Sequence, residues 1–185
     1  MMTEISLNVL DVSENSTRAG ASLVTILVTA DTSADKLTIV IADNGCGMTP
    51  EQTAHVTDPF FTTRTTRKVG LGIPFFKYAA ESTGGSFHIE SEPGKGTTVT
   101  AVFGLSHIDR MPLGDMNATI HNLIVYHPDT DFLYTYTYND ASFTLDTREM
   151  REILGEIPLN TPEVSAYIME YLKENQRETD GGVQL

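Results

Sequence analysis

Two β-branched runs dominate the first part of the sequence, and the second ends abruptly in a polar, glycine-rich segment. The runs LVTILVT (23–29) and LTIVIA (37–42) are typical of strands, and the turn-like segment between them predicts antiparallel pairing. DNGCGM (43–48) follows the second run directly. An acid and two glycines at a strand end indicate either an Asn-Gly turn or a backbone that closely approaches a ligand. Both alternatives stay open on this segment alone.

The elements predicted around these strands define a fold class. Residues 4–20 form a predicted helix, because Ile5, Val9 and Val12 recur at helical spacing. The other predicted elements of this half are a short helix at 50–56, a loop at 57–69, a helix at 72–83 and a strand hairpin at 86–103. An antiparallel sheet with helices on one face, a two-layer α/β sandwich of the α+β class, accommodates this order.

The distribution of charge divides the chain of 185 residues. Residues 1–104 hold 11 acids and 7 bases, whereas residues 105–185 hold 14 acids and 5 bases. We therefore predict one domain at 1–104 and a small acidic α/β appendage at 105–175, which packs on the sandwich or forms a homodimer interface. The polar residues 176–185 are predicted to be a disordered tail, because they lack apolar content.

The predicted appendage has its own pattern of elements. A helix is expected at 112–128, a hairpin of strands at 131–138 and 141–147, and two short helices near 147–155 and 162–174. Alternate aromatic residues share one face of the first strand and are expected to be core or interface: Phe132, Tyr134, Tyr136 and Tyr138.

Composition excludes several classes of function. The net charge of −13 disfavours binding to nucleic acid or to an anionic membrane surface. No stretch approaches the roughly 20 consecutive apolar residues of a membrane helix, and the N-terminus lacks the basic region of a secretory signal. A single cysteine, Cys46, is typical of a reducing compartment, so we expect a cytoplasmic protein. The five scattered histidines indicate no structural metal site.

The first helix carries candidate chemistry along one face. Its polar residues recur at helical spacing, at Glu4, Asn8, Asp11, Asn15 and Arg18. They form either a solvated stripe or a site in which the Asn15 amide oxygen binds Mg²⁺ and Asp11 accepts a proton. Magnesium prefers oxygen ligands and leaves several positions for water and phosphates, so one asparagine facing a triphosphate is sufficient.

Two further segments fit a nucleotide. The Asp43 carboxylate can accept a hydrogen bond from the 6-amino group of adenine, with Gly45 and Gly47 allowing close approach and Thr97 nearby. Positive charge is concentrated just before a glycine-rich helix start, at Arg64, Arg67 and Lys68, followed by Gly70, Leu71 and Gly72. A helix N-terminus preceded by bases is suited to phosphate, although a basic surface loop remains the alternative.

In this order, the segments resemble the GHKL ATPase superfamily, which comprises DNA gyrase B, a heat-shock chaperone, histidine kinases and MutL. The resemblance covers residues 4 to about 104 and implies the Bergerat sandwich fold with ATP and Mg²⁺ as ligands. It implies a magnesium role for Asn15 and an adenine-binding role for Asp43. The stretch 58–68 resembles the ATP lid. The remaining implied nucleotide contacts are Arg18, Gly45, Gly47, Met48, Arg64, Lys68, Gly70, Leu71, Gly72 and Thr97.

One departure from the family pattern bears on activity. Many histidine kinases have Asn where this chain has Asp11, and the ATP-hydrolysing and serine-kinase branches have Glu. An acid there implies a catalytic Asp11 and favours hydrolysis or transfer to a hydroxyl. Because no helical hairpin with a phosphoacceptor histidine is found, we expect a separate protein partner or phosphoacceptor. The alternative is an ATP-gated protein-binding module with little or no catalysis.

Overall fold

A computed structural model describes residues 2–58 and 72–185, which form six helices and one six-stranded sheet. None of the helices in these two ranges is both long and apolar enough to cross a bilayer. The helices are α1 Ile5–Arg18, α2 Pro50–His55, α3 Gly72–Glu81, α4 Met116–Tyr126, α5 Thr147–Leu154 and α6 Pro162–Asp180. The strands are β1 Leu23–Asp31, β2 Lys36–Asp43, β3 Ser86–Glu92, β4 Gly96–Gly104, β5 Asp131–Tyr138 and β6 Ala141–Asp146.

The sheet has the strand order β3-β4-β2-β1-β5-β6. The predicted antiparallel pairing of β1 with β2 is confirmed, with Ile26 opposite Ile41, and β3 and β4 form the predicted hairpin. Among neighbouring strands only β1 and β5 are parallel: the chain leaves β4, passes through α4 and enters β5 on the far side of β2 and β1. The sheet is therefore mixed, and the predicted α+β class is confirmed.

Alternation along the strands explains the two layers. In β1, Val24, Ile26, Val28 and Ala30 are fully buried, and the residues between them are half-buried. The buried side chains pack in one core with the apolar stripe of α1, at Ile5, Val9 and Val12. Burying this face removes apolar area from water at roughly 25 cal/mol per Å², which favours helices on that side of the sheet. The two-layer sandwich follows from this pattern.

The C-terminal region extends the same sheet. β5 pairs with β1 in register, with Val24 opposite Phe132, and its aromatic face lies in the core. Phe132, Tyr134 and Tyr136 are buried, and Tyr138 packs partly buried against them. Of the two alternatives for these aromatics, the structure places them in the core. Residues 105–175 thus share one core with residues 1–104.

The tail differs from its prediction. Residues 176–185 were expected to be disordered, but α6 continues to Asp180 and ends at Gly181, whose φ of 69° gives a left-handed cap. The Asp180 carboxylate is buried and accepts a hydrogen bond from the Tyr136 hydroxyl at 2.9 Å. The Leu185 carbonyl accepts one from the Leu113 N–H at 2.8 Å. Low apolar content is offset here by contacts with distant residues, which composition does not reveal.

We predict that Tyr136→Phe weakens the attachment of this tail. Burial, together with the hydrogen bond to Asp180, raises the pKa of the Tyr136 hydroxyl, so it remains a donor throughout the physiological range. Without that donor the buried Asp180 carboxylate loses a partner, at a cost of about 1–3 kcal/mol in unfolding free energy. Urea unfolding measures the loss, with Tyr138→Phe as the control at the less buried end of the strand. Equal stability of the two variants would contradict the prediction.

Candidate functional site

The centre of the candidate site is the carboxylate at the end of β2. Asp43 accepts a hydrogen bond from the Ser16 hydroxyl of α1 at 2.6 Å, on Oδ2. Its other oxygen, Oδ1, accepts one from the Gly45 N–H at 2.9 Å. Asp43 is half-buried, and a carboxylate offers about four lone-pair positions, so two contacts leave acceptor capacity. The helix and the loop thus fix the carboxylate without saturating it.

Strand register places two hydroxyl groups beside this carboxylate. Asp43 lies opposite Thr97 of β4, and Thr97 lies opposite Ser91 of β3. All three residues belong to the helix-covered face, because they alternate in step with Ile41 and Val99 of the core. The Ser91 and Thr97 hydroxyl oxygens are 2.8 Å apart. A polar row therefore crosses three strands at one end of the apolar core.

Hydrogen bonds and close packing hold the loop after β2 against its neighbours. The Met48 N–H donates to the Ser91 hydroxyl at 2.8 Å. Gly47 has a φ of 65°, and a Cβ there would overlap the backbone carbonyl of Glu92. The Asn44 side chain accepts from the Ser22 N–H at 2.9 Å. Gly47 is thus explained by the turn and its packing, while Gly45 is buried and donates to Asp43.

The polar face of α1 is not uniformly solvated. Asn8 is buried, whereas Asp11 and Asn15 are half-buried and Arg18 is exposed. The Asn15 amide oxygen accepts a long hydrogen bond from the Arg18 guanidinium at 3.4 Å. Arg18 also forms an ion pair with Glu14 at 3.3 Å. Burial along the predicted stripe therefore decreases from Asn8 to Arg18. Asn15 lies next to Ser16, which donates to Asp43.

Asp11 lies against the start of α3. A Cβ at Gly72, the first residue of that helix, would overlap the Asp11 carboxylate in its present position, so the two residues are in close contact. Helices α1 and α3 are in contact along the same face of the sheet. The structure thus brings two predicted site residues, Asp11 and Gly72, together at one position between the helices.

Four predicted contacts, Arg64, Lys68, Gly70 and Leu71, lie outside the described residues, as do Arg67 and the phenylalanines Phe60 and Phe61. The other predicted site residues belong to α1, to the β2 end and its loop, to the start of α3 or to β4: Asp11, Asn15, Arg18, Asp43, Gly45, Gly47, Met48, Gly72 and Thr97. The carboxylate Asp43 and the hydroxyl Thr97 are brought side by side by the sheet.

Sequence reasoning missed two residues of the site, Ser16 and Ser91. Ser16 follows Asn15 directly and lies one helical turn after the buried Val12, which places it on the inner face of α1. Ser91 alternates with Phe87 and Ile89 on the covered face of β3. In both cases the signal is a small polar residue at a position that periodicity assigns to the core.

Comparison with known proteins identifies what this arrangement resembles. Residues 1–107 match the family described as histidine kinase-, DNA gyrase B-, and HSP90-like ATPase. A putative sensor protein of Shewanella frigidimarina is 39% identical over 70 residues, which are 37% of this chain and 11% of that protein. The sensor protein SrrB of Staphylococcus aureus is 33% identical over 102 residues, 52% of this chain and 17% of that protein. The chain therefore matches less than a fifth of the length of either relative.

A solved structure shares the fold over a longer stretch. The N-terminal domain of a DNA repair protein superposes with a TM-score of 0.55 and 14% sequence identity. The superposition covers 78% of this chain and 52% of that one, so it extends past residue 107 into the C-terminal region. At this level of identity the likeness shows the fold alone.

We predict that Gly47→Ala destabilises the protein more than Gly94→Ala. Both glycines have positive φ, 65° and 77°, but a Cβ at Gly94 meets open space, while one at Gly47 overlaps the Glu92 carbonyl. The conformational cost alone is about 1–2 kcal/mol at either position, and the overlap adds to it at Gly47. Urea unfolding of the two variants measures the difference. Equal losses of unfolding free energy would show that Gly47 is not packed closely against the Glu92 carbonyl.

Proposed function

Since the chain belongs to the family of histidine kinase-, DNA gyrase B- and HSP90-like ATPases, we propose that Asp43 binds the adenine of ATP by its 6-amino group. The observation that carries this proposal is the anchored carboxylate, held by Ser16 and Gly45 with acceptor capacity to spare. An exocyclic amine supplies the donor that such a carboxylate lacks. Thr97, directly opposite Asp43 in the sheet, contributes a hydroxyl at the same edge.

The residues of α1 fit a magnesium ion carried by the triphosphate. Asn15 offers an amide oxygen, a hard donor of the kind that Mg²⁺ prefers. Among residues 2–58 and 72–185, no three His, Cys, Asp or Glu side chains converge on a metal position. One protein ligand completed by phosphates and water requires no such cluster. Bound Mg²⁺ would neutralise charge on the phosphates.

Phosphate contacts complete the proposed site. The sequence assigns them to Arg64, Lys68, Gly70 and Leu71, with Gly72 at the start of α3. Helix N-termini favour anions, because their first N–H groups lack partners within the helix. Arg18 is exposed on α1 and adds positive charge beside Asn15. Met48, whose N–H is bound to Ser91, adds a contact near the proposed base.

Asp11 is the proposed catalytic residue. It lies on α1 one turn before Asn15 and against the first residue of α3, between the two helices that would flank the triphosphate. A carboxylate there orients or deprotonates an attacking water or hydroxyl. The resulting reaction is ATP hydrolysis, or transfer of the γ-phosphate to a hydroxyl on a separate protein partner.

A second function is favoured by the C-terminal surface. The side chains of Ile153 and Ile157 are 86% and 53% exposed, and acids flank them at Glu152 and Glu156. Contiguous exposed apolar surface marks protein contact sites, and in this alternative the two isoleucines belong to such a site. In this alternative, ATP gates the binding of a protein partner, or of a second copy of the chain, and catalysis is slow or absent. The name of both relatives, sensor protein, is compatible with either role.

We predict that Asp43→Ala abolishes preferential binding of ATP. The variant loses the acceptor for the 6-amino group, so the dissociation constant for Mg-ATP rises about 100-fold or more, as measured by titration calorimetry. Glu90→Ala is the matched control, because Glu90 is an exposed acid on the opposite face of the same sheet. Unchanged ATP affinity in Asp43→Ala, or equal affinity of the native protein for ATP and GTP, would contradict the base-binding role.

We predict that Asp11→Asn distinguishes catalysis from ATP-gated binding of a partner. If Asp11 acts on the attacking group, phosphate release from γ-labelled ATP falls about 10²–10⁴-fold while ATP affinity changes little. Asp129→Asn, an exposed acid near the end of α4, serves as the control. A release rate that Asp11→Asn leaves unaltered would exclude the catalytic role and favour the ATP-gated module.

A further inference from the structure

The hydroxyl of Ser91 has three hydrogen-bond neighbours. It receives the Met48 N–H at 2.8 Å, it lies 3.0 Å from the Gly96 carbonyl oxygen, and it lies 2.8 Å from the Thr97 hydroxyl. A serine hydroxyl has one proton to donate and two lone pairs to accept with. Three neighbours therefore use its full capacity, and the direction of each hydrogen bond can be assigned by counting protons.

The backbone partners decide the direction of the third bond. The Gly96 carbonyl can only accept, so the single Ser91 proton is directed to it. The Met48 N–H can only donate and takes one Ser91 lone pair. The contact with Thr97 then has no Ser91 proton left, so Thr97 donates its own proton to Ser91. With its proton engaged, the Thr97 oxygen offers lone pairs alone.

The neighbouring Asp43 carboxylate is also a hydrogen-bond acceptor only. The Asp43 carboxylate accepts from Ser16 and from Gly45, and a carboxylate has no proton to donate. Thr97 is opposite Asp43 in the strand register and on the same face. The end of β2 and the start of β4 thus present two adjacent acceptors.

We infer that Ser91 is a positioning residue for nucleotide selectivity: by holding the Thr97 proton, it keeps this edge of the site an acceptor-only surface that favours a 6-amino purine over a 6-oxo purine. The inference rests on the proposed adenine site at Asp43. At the 6 position an amino group brings two N–H donors, whereas an oxo group brings an acceptor to a surface that cannot donate. The N1–H of the 6-oxo base adds one donor but does not satisfy its 6-oxo oxygen. A buried acceptor left without a donor costs binding free energy, so the 6-oxo nucleotide is disfavoured.

Nucleotide selectivity tests this inference. Dissociation constants for Mg-ATP and Mg-ITP, whose base carries a 6-oxo group and a proton on N1, are measured by titration calorimetry. In Ser91→Ala the Thr97 proton is released and can be donated to the 6-oxo group. The ratio of the ITP to the ATP dissociation constant then falls about tenfold, the typical effect of one hydrogen bond. Ser86→Ala, an exposed serine on the same strand but the opposite face, keeps the native ratio.

Further variants separate polarity from structural damage. In a Thr97→Val background, adding Ser91→Ala leaves the ratio unchanged, because no Thr97 proton remains to be redirected. Ser91→Cys, which retains a small side chain but hydrogen-bonds weakly, lowers the ratio as well and serves if Ser91→Ala does not fold. A fall of about threefold or more supports the inference, since one hydrogen bond changes affinity by at least about that factor. A smaller fall in the ratio overturns it, whether or not both nucleotides bind more weakly.

The outcome is distinguishable from failure of the adenine site itself. If the native protein does not bind ATP, or if Asp43→Ala binds it as well as the native protein, the proposed function fails. If both of those results support the site and only the Ser91 variants keep the native ratio, the site stands and the role of Ser91 is overturned.

Discussion

The hydrogen bond between Ser16 and Asp43 joins the two layers of the sandwich at the candidate site. At 2.6 Å it is short, as expected for a hydroxyl donating to a carboxylate. It ties the end of α1 to the end of β2, and the Gly45 N–H holds the other carboxylate oxygen. A half-buried charge with two fixed donors stays in one orientation, which a site that selects a ligand by hydrogen bonding requires.

The strands and helices around Asp43 position the other polar side chains of the candidate site. Register across β2, β4 and β3 places Thr97 and then Ser91 beside Asp43, so the polarity of the edge is set by the sheet. On the helix side, α1 carries Asn15 immediately before Ser16, and Asp11 one turn earlier meets α3. The extended sheet and the C-terminal helix share the core beneath these elements, so the site lies on one continuous packed core.

The sequence predicted most of the fold because strand alternation and helical spacing are local signals. β1, β2 and the aromatic face of β5 follow their patterns. The ordered tail did not follow from the sequence, because its stability depends on the distant Tyr136 and Leu113. Asp43 and Thr97 are predicted site residues from residue type and motif, and the sheet places them opposite each other. Ser16 and Ser91 were missed, because a serine acquires its role only from the partners that tertiary structure supplies.

The most direct measurement is a crystal structure with Mg²⁺ and a non-hydrolysable ATP analogue. If Asp43 is the adenine contact, the 6-amino nitrogen lies within about 2.7–3.2 Å of its carboxylate, the range for an N–H donor to oxygen, with the Ser16 contact retained. The triphosphate then lies along α1 toward the start of α3. A base bound elsewhere, or an Asp43 carboxylate turned to bulk solvent while the nucleotide is present, would contradict the central role of this residue.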